Sequence, residues 1–380
     1  MTEAIFVSEF FKTHSYLPSS QPSLGYEEKL KTTIDMSQAS QTPIISESKL
    51  LSGLFQMLEP HLSTLDSFLL RQVSSFEEEI REYVEYCIDT GGKRIRPSLI
   101  FFSGWQGEGV VDQKLVKLAA VIETIHLATL VHDDIMDGAD IRRSRLTVAK
   151  KDGNATAVLL GDALFSHAVY LSTQFPTSEV SEKVAIAMRN VCTGEILQTM
   201  QRGDPDIDLA TYRRVIDLKT AELFSIACFL GARLAERDQP YVEAAGNFGR
   251  HLGIAYQIYD DLTDLIGSEE KIGKTLGTDI ATGKATLPVI LLRDRLPTAE
   301  ATLLRDTLAG KNEADISMWQ SKLAELGVID TVREAILQEV QLARGAITAY
   351  NGNEDADLLY TISELLWNQV EALQSDRARS

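Results

Sequence analysis

At 380 residues, 44% hydrophobic and 24% charged, the chain has the composition of an ordinary globular protein and the length for a large core. Its formal net charge of -18 excludes the basic surface that nucleic acid or anionic lipid selects, so an anionic ligand must be held by local cations or metal ions. Cys87, Cys192 and Cys228 are widely spaced and form no CxxC pair, which points to reduced core thiols in a cytoplasmic protein rather than a disulfide framework or zinc site.

Residues 1–45 are polar and rich in Ser, Thr and Gln, and read as a disordered extension. They hold no basic region followed by an apolar stretch, and no Arg precedes Arg71, so neither a secretory signal nor a transit peptide is expected. From Ser46 onward apolar residues recur at steps of three and four, as in Leu50, Leu51, Leu54, Phe55 and Leu58. Short breaks with turn chemistry fall at Gly91-Gly92, Gly107–Gly109, Gly138, Lys151–Asn154, Gly203-Asp204-Pro205, Asp238–Pro240 and Gly267–Gly277. Strand-like alternation, a short repeat and a membrane-length apolar run are all missing from the sequence. The pattern predicts a single-domain, all-α helical bundle over 46–380, with sites built from side chains on facing helices.

Two long helices, one from Asp112 to Asp137 and one from Tyr241 through Asp264, each end in an acidic cluster. In "HDDIMDGADIRR" Asp133 and Asp137 stand at i and i+4, so their carboxylates share one helix face with Asp134 beside them. Like charges at that spacing repel unless a cation lies between them, and hard oxygen donors suit magnesium. Alone, such a motif is more often a solvated helix end. "YQIYDDLTD" repeats the spacing at Asp260, Asp261 and Asp264 after an apolar stretch, and the pair together favours a bridged diphosphate, with apolar walls to shield a carbocation.

The cations come in clusters. "GGKRIRP" sets Lys93, Arg94 and Arg96 at a Gly-Gly turn with Pro97 opening the next helix, an arrangement suited to an anion. Arg142 and Arg143 follow Asp137 closely, and Lys219 lies on an apolar helix where it needs an anionic partner. Lys274 and Lys284 follow the second cluster, where either could equally be a surface lysine.

These motifs, with "LLGDALF" (159–165), "GEILQ" (194–198), "KTAELF" (219–224) and "KTLGTDIATGKATLP" (274–288), occur in an order that resembles the trans-polyprenyl diphosphate synthases over about residues 80–300. The resemblance implies the isoprenoid synthase bundle around a central apolar tunnel, and a prenyltransferase that condenses isopentenyl diphosphate with an allylic diphosphate. It implies magnesium, with manganese able to substitute, held by Asp133, Asp137, Asp260 and Asp264. It assigns Arg142, Lys219, Thr220, Gln257 and Lys274 to the allylic diphosphate, and Lys93, Arg96, His126 and Arg143 to isopentenyl diphosphate. His126 lies on the Asp133 stripe two turns below it, which favours function over an ordinary core histidine. A homodimer is implied too, its product handed to a membrane. Ser144 and Leu146 depart from the family's usual Gly and Pro, which bears on the geometry of that loop.

Three other readings fit less well. A class I terpene cyclase would want Asn or Asp, Ser or Thr, and Glu where Asp260, Asp264 and Ser268 stand. A non-catalytic subunit of a heteromeric synthase would have lost an acidic cluster. A short-chain synthase would carry a bulky aromatic four or five residues before Asp133, where Thr129 and Ala128 stand; with Thr129, Ile125 and Ile122 lining the tunnel, a product of roughly six or more isoprene units is expected.

Overall fold

The structure is a computed structural model that describes residues 47–88, 92–143, 145–267 and 276–377. The expected extension (1–45), Gly91, Ser144 and Lys274 lie outside the described residues.

Sixteen α-helices appear among the described residues: α1 Glu47–Gln72, α2 Arg81–Ile88, α3 Ile95–Ser103, α4 Gln113–Met136, α5 Val148–Asp152, α6 Asn154–Ser172, α7 Ser178–Met200, α8 Leu209–Ile216, α9 Glu222–Leu234, α10 Gln239–Ile266, α11 Thr278–Ala281, α12 Leu287–Arg295, α13 Thr298–Leu308, α14 Ile316–Glu325, α15 Val328–Ile347 and α16 Glu354–Arg377. A small antiparallel hairpin, β1 (Ile141–Arg142) with β2 (Arg145–Leu146), was not expected from the sequence and carries the arginine pair. Both acid-tipped helices start on aspartate caps that satisfy free backbone N–H groups. Asp112 accepts from Lys114 N at 2.7 Å, and Asp238 from Tyr241 N at 2.9 Å with Pro240 in the first turn.

The core is one contiguous apolar cluster running from Leu54 to Val370. Helices α4, α9 and α10 lie within it, and α10 packs against α9 and α15 while α4 packs against α6 and α3. Between α8 and α9 the chain widens into a π-helical segment, Asp217–Ala221, of the kind that re-aims side chains at functional sites. Two glycines let neighbouring helices close on it. A Cβ on Gly194 of α7 would stand 2.6 Å from Lys219 N, and one on Gly253 of α10 would stand 2.7 Å from Ala221 Cα. Any larger residue would push the helices apart, so Gly253 brings the helix of the second acidic cluster to the π segment and Gly194 brings α7.

Two expectations change here. Cys87 and Cys228 are buried free thiols, but Cys192 is exposed on α7. Helices α4 and α6 do meet the length and hydropathy of a membrane span; 72% of the α4 window is buried in the protein, against only 44% for α6, whose outer face stays uncovered.

Candidate active site

The π segment links the two acid-tipped helices, Lys219 reaching Asp133 of α4 and Thr220 bonding Gln257 of α10. Asp133 is largely buried, and burial pushes its carboxyl up to about 6; Lys219 opposes that, while Glu195 and Asp137 add to it. Lys219 Nζ lies 3.7 Å from Asp133 Oδ2 and forms a close ion pair with Glu195 on α7. Burial alone would lower the Lys219 ammonium, but Asp133 and Glu195 together raise it. Burial would likewise raise Asp137, yet its neighbours hold its carboxyl below the usual range. Those neighbours are Lys284 at 3.0 Å and Arg202 at 2.6 Å, the latter also donating to Met136 O at 2.6 Å. The two loops that supply these cations are pinned together by a bond from Gly203 N to Gly283 O of 2.9 Å. Asp134, the middle residue, is buried and receives Arg142 Nε at 2.6 Å, so burial raises it while the guanidinium pulls it back.

The second cluster is arranged otherwise. Asp260 is exposed. Asp261 is buried and pushed up to about 7 by that burial, against hydrogen bonds from Tyr212 Oη at 2.5 Å and Gln257 Nε2 at 2.8 Å. Asp264 is 1% exposed and accepts from Thr278 Oγ1 at 2.6 Å and Asp279 N at 3.0 Å, so it anchors the start of α11 rather than facing the site. Thr220 and Gln257, both expected on the diphosphate, bond each other instead, Thr220 Oγ1 donating to Gln257 Oε1 at 2.7 Å.

Beside the first cluster lies a cationic pocket. Arg96 is largely buried with its guanidinium 4.9 Å over the Phe224 ring, and burial lowers its pKa. Arg143, in a left-handed conformation (φ 50°), stacks its guanidinium against Gly92, where a Cβ would come within 2.9 Å. Neither forms an ion pair among the described residues, though the Glu123 carboxylate is near enough to favour both charges. His126 faces them; burial first, then Arg96, Arg143, Arg142 and Arg94, hold it well below its usual pKa, so it is a neutral imidazole. Arg94 differs from its neighbours in the motif: Glu123 at 2.6 Å and Asp66 at 2.9 Å occupy it, which makes it structural. Lys93 is exposed at the turn.

Along α4 below Asp133, Thr129 is half-buried and bonded to His126 O at 2.7 Å. Ala128, Ile125 and Ile122 are 0% exposed, so they are packed on all sides and open no channel here, a difference from the expected tunnel wall. Phe165 packs tilted against the His132 ring, centroids 5.7 Å apart, whereas Tyr170 is exposed on the outer face of α6.

The donor chemistry fits a magnesium ion that keeps most of its water. No group of three metal-capable side chains converges among the described residues, but Asp133 is a crowded, buried carboxylate that a cation would relieve. Magnesium is commonly held by one or two carboxylates plus substrate phosphate. A separate cleft of about 960 Å³ near Trp105 and Asp355 lies by the capped starts of α4 and α10, roughly 30 Å from the aspartates along the helices.

Residues 77–326 match the polyprenyl synthetase family. The chain belongs to that family. It is a trans-prenyltransferase of the polyprenyl diphosphate synthase class. It is similar to an octaprenyl diphosphate synthase of Haemophilus influenzae, 32% identical over 312 residues, covering 82% of this chain and 94% of that protein. An octaprenyl diphosphate synthase of Escherichia coli is 34% identical over 262 residues, covering 69% and 81%. Among solved structures, a decaprenyl diphosphate synthase of Rhodobacter capsulatus superposes with a TM-score of 0.77 at 30% identity, covering 84% of this chain and 99% of that one. These named relatives are long-chain synthases.

Glu195, Arg202 and Lys284 are the site residues that sequence reasoning did not place. Glu195 lay in the "GEILQ" match without a role, Lys284 was left between surface and site, and Arg202 gave no signal at all.

Proposed function

We propose that this synthase ionises an allylic diphosphate and adds isopentenyl diphosphate repeatedly, with magnesium, to make a long all-trans polyprenyl diphosphate. One observation carries the reading: Arg96 and Arg143, which form no ion pair among the described residues, lie beside an acid-tipped helix that has its own cations. That gives two distinct places for two diphosphates, where a cyclase needs one. Asp133, Asp137 and Asp260 would hold the metal, directly or through water. When bound, the metal neutralises the leaving diphosphate.

The remaining work falls to the chain. Lys219, steadied by Glu195 and the π segment, points at the allylic side, and Arg202 and Lys284 add charge at Asp137. Arg96, Arg143 and Lys93 hold the diphosphate that is retained, and neutral His126 donates a hydrogen bond without adding repulsion to the arginines. The apolar wall at Phe224 and α4 excludes water from the cation.

A homodimer belongs to the same proposal. Leu159 (68% exposed), Tyr170 (57%) and Ile196 (58%) leave an apolar face on α6 and α7 of the kind a second copy covers. One relative, from Geobacillus stearothermophilus, is named heptaprenyl diphosphate synthase component 2, so light scattering of the protein alone decides between self-association and an unlike partner. A cytoplasmic location rests on the three free cysteines.

The test is to incubate the purified protein with isopentenyl diphosphate and several allylic starters, with and without chelator, and to size the products. Chains of about six or more units, made only with metal, are expected. No incorporation, or release of a cyclised hydrocarbon, would overturn the reading. Thr129→Phe should shift the products to shorter chains, since added volume in a packed wall costs about 1–3 kcal/mol.

A further inference from the structure

Four polar side chains form a continuous buried chain behind the allylic side of the site. Tyr212 on α8, Asp261 and Gln257 on α10, and Thr220 in the π segment are joined by bonds of 2.5, 2.8 and 2.7 Å. Tyr212, Asp261 and Thr220 are each about 5–6% exposed. Gln257 and Asp261 are i and i+4, so they meet on one face of α10, while Asp260, one residue back, turns outward.

Each Asp261 oxygen accepts one bond, Oδ2 from Tyr212 Oη at 2.5 Å and Oδ1 from Gln257 Nε2 at 2.8 Å, the arrangement of an ionised carboxylate that only accepts. With its NH₂ given to Asp261, Gln257 can offer only its carbonyl to Thr220, which must donate. The Thr220 hydrogen is therefore spent inside the protein and cannot reach a phosphate oxygen. Thr220 and Gln257 thus act on the substrate at one remove, through the backbone that carries Lys219. That backbone is already clasped by Gly194 and Gly253, and the chain ties it to α8 and α10 from the third side.

We propose that Tyr212 is a positioning residue for the allylic diphosphate, fixing Lys219 through Asp261, Gln257 and Thr220. This rests on the reading that the allylic diphosphate sits at Lys219. Removing the phenolic hydroxyl leaves Asp261 one donor short in a buried site, and the Gln257 amide and Thr220 lose their fixed orientation. Lys219 stays cationic but loses its fixed direction, so the substrate it holds should suffer and the other should not.

Tyr212→Phe keeps the ring and tests this. The Michaelis constant for the allylic diphosphate should rise roughly five- to tenfold, and that for isopentenyl diphosphate should stay within about twofold. Calorimetric affinity for a thio-substituted allylic diphosphate that ionises slowly should fall by the same factor, independent of turnover. Should Tyr212→Phe not fold, Gln257→Met cuts the chain on the other side of the carboxylate and should give the same split. Equal effects on both substrates, or a lower melting temperature with unchanged analogue affinity, would overturn the proposal and leave Tyr212 a core residue. If the wild-type protein fails to bind the analogue at all, the placement of the allylic diphosphate falls, and this inference with it.

Discussion

The two acidic clusters have the same spacing on two long core helices, yet they are wired differently. On α4 the outer aspartates, Asp133 and Asp137, face cations from the π segment and from distant loops, and the middle one is held by Arg142. On α10 only the first, Asp260, is exposed; Asp261 and Asp264 are sealed and satisfied from within the protein. An i, i+4 spacing places two carboxylates on one face, but what lies opposite that face decides what each does. On α4 both outer positions meet cationic side chains, Lys219 at Asp133 and Lys284 with Arg202 at Asp137. The α10 cluster meets one opening and two walls.

The largest effects should fall on the open positions. Asp133→Ala and Asp260→Ala should each reduce kcat by at least ~100-fold, the loss typical of removing one preorganised electrostatic contributor. Both should keep their helical circular dichroism, since each is a polar residue at the edge of the core. Excess chelator should abolish turnover in the wild type. Near-normal rates for Asp260→Ala would erase the comparison, because α10 would then contribute no open carboxylate at all.

The sealed positions should answer in stability instead. Asp264→Ala removes both acceptor oxygens, so Thr278 Oγ1 and Asp279 N each lose the carboxylate bond they make in a buried place. That should lower unfolding free energy by about 1–3 kcal/mol in a denaturant titration. Its kcat should fall far less than that of Asp260→Ala. A loss of activity as large as that of Asp260→Ala, with unchanged stability, would place Asp264 among the metal ligands and reunite the two clusters.

Much of this was legible in the sequence. Helical periodicity gave the bundle, turn-rich breaks gave the limits of the two acid-tipped helices to within about two residues, and the ordered motifs gave the family. Asp112 and Asp238 are local signals, since a cap binds N–H groups within three residues. The wiring was not legible because it is long-range: Arg202 meets Asp137 across 65 positions and Lys284 meets it across 147. The π segment also escaped notice, since "DLKTA" has no composition that separates it from an α-helix. The same holds for the packed state of Ile125 and Ala128, where spacing shows which way a side chain points but not whether the space beside it is filled.

The smallest effect concerns how the α10 cluster is braced from outside. Glu339 on α15 is buried and accepts from Arg213 of α8 and His251 of α10, each at 2.8 Å, tying the helix of Tyr212 to the helix of Asp260. Burial alone would raise the Glu339 carboxyl, but His251 and Arg213 hold it below the usual value. A carboxylate whose pKa is depressed by folding contributes stability above its unfolded pKa of about 4.3, and loses that contribution as pH falls through its folded pKa. Glu339→Gln should therefore be less stable than the wild type at pH 7 by about 0.5–1.5 kcal/mol, modest because Arg213 and His251 are partly exposed and screened. Measured by urea unfolding, the gap should begin to close as the pH falls below the unfolded value and vanish once it has passed the lowered pKa of the folded carboxylate. A gap that persists at low pH would mean the glutamine acts by misfitting the core, and the brace between α8 and α10 would not be electrostatic.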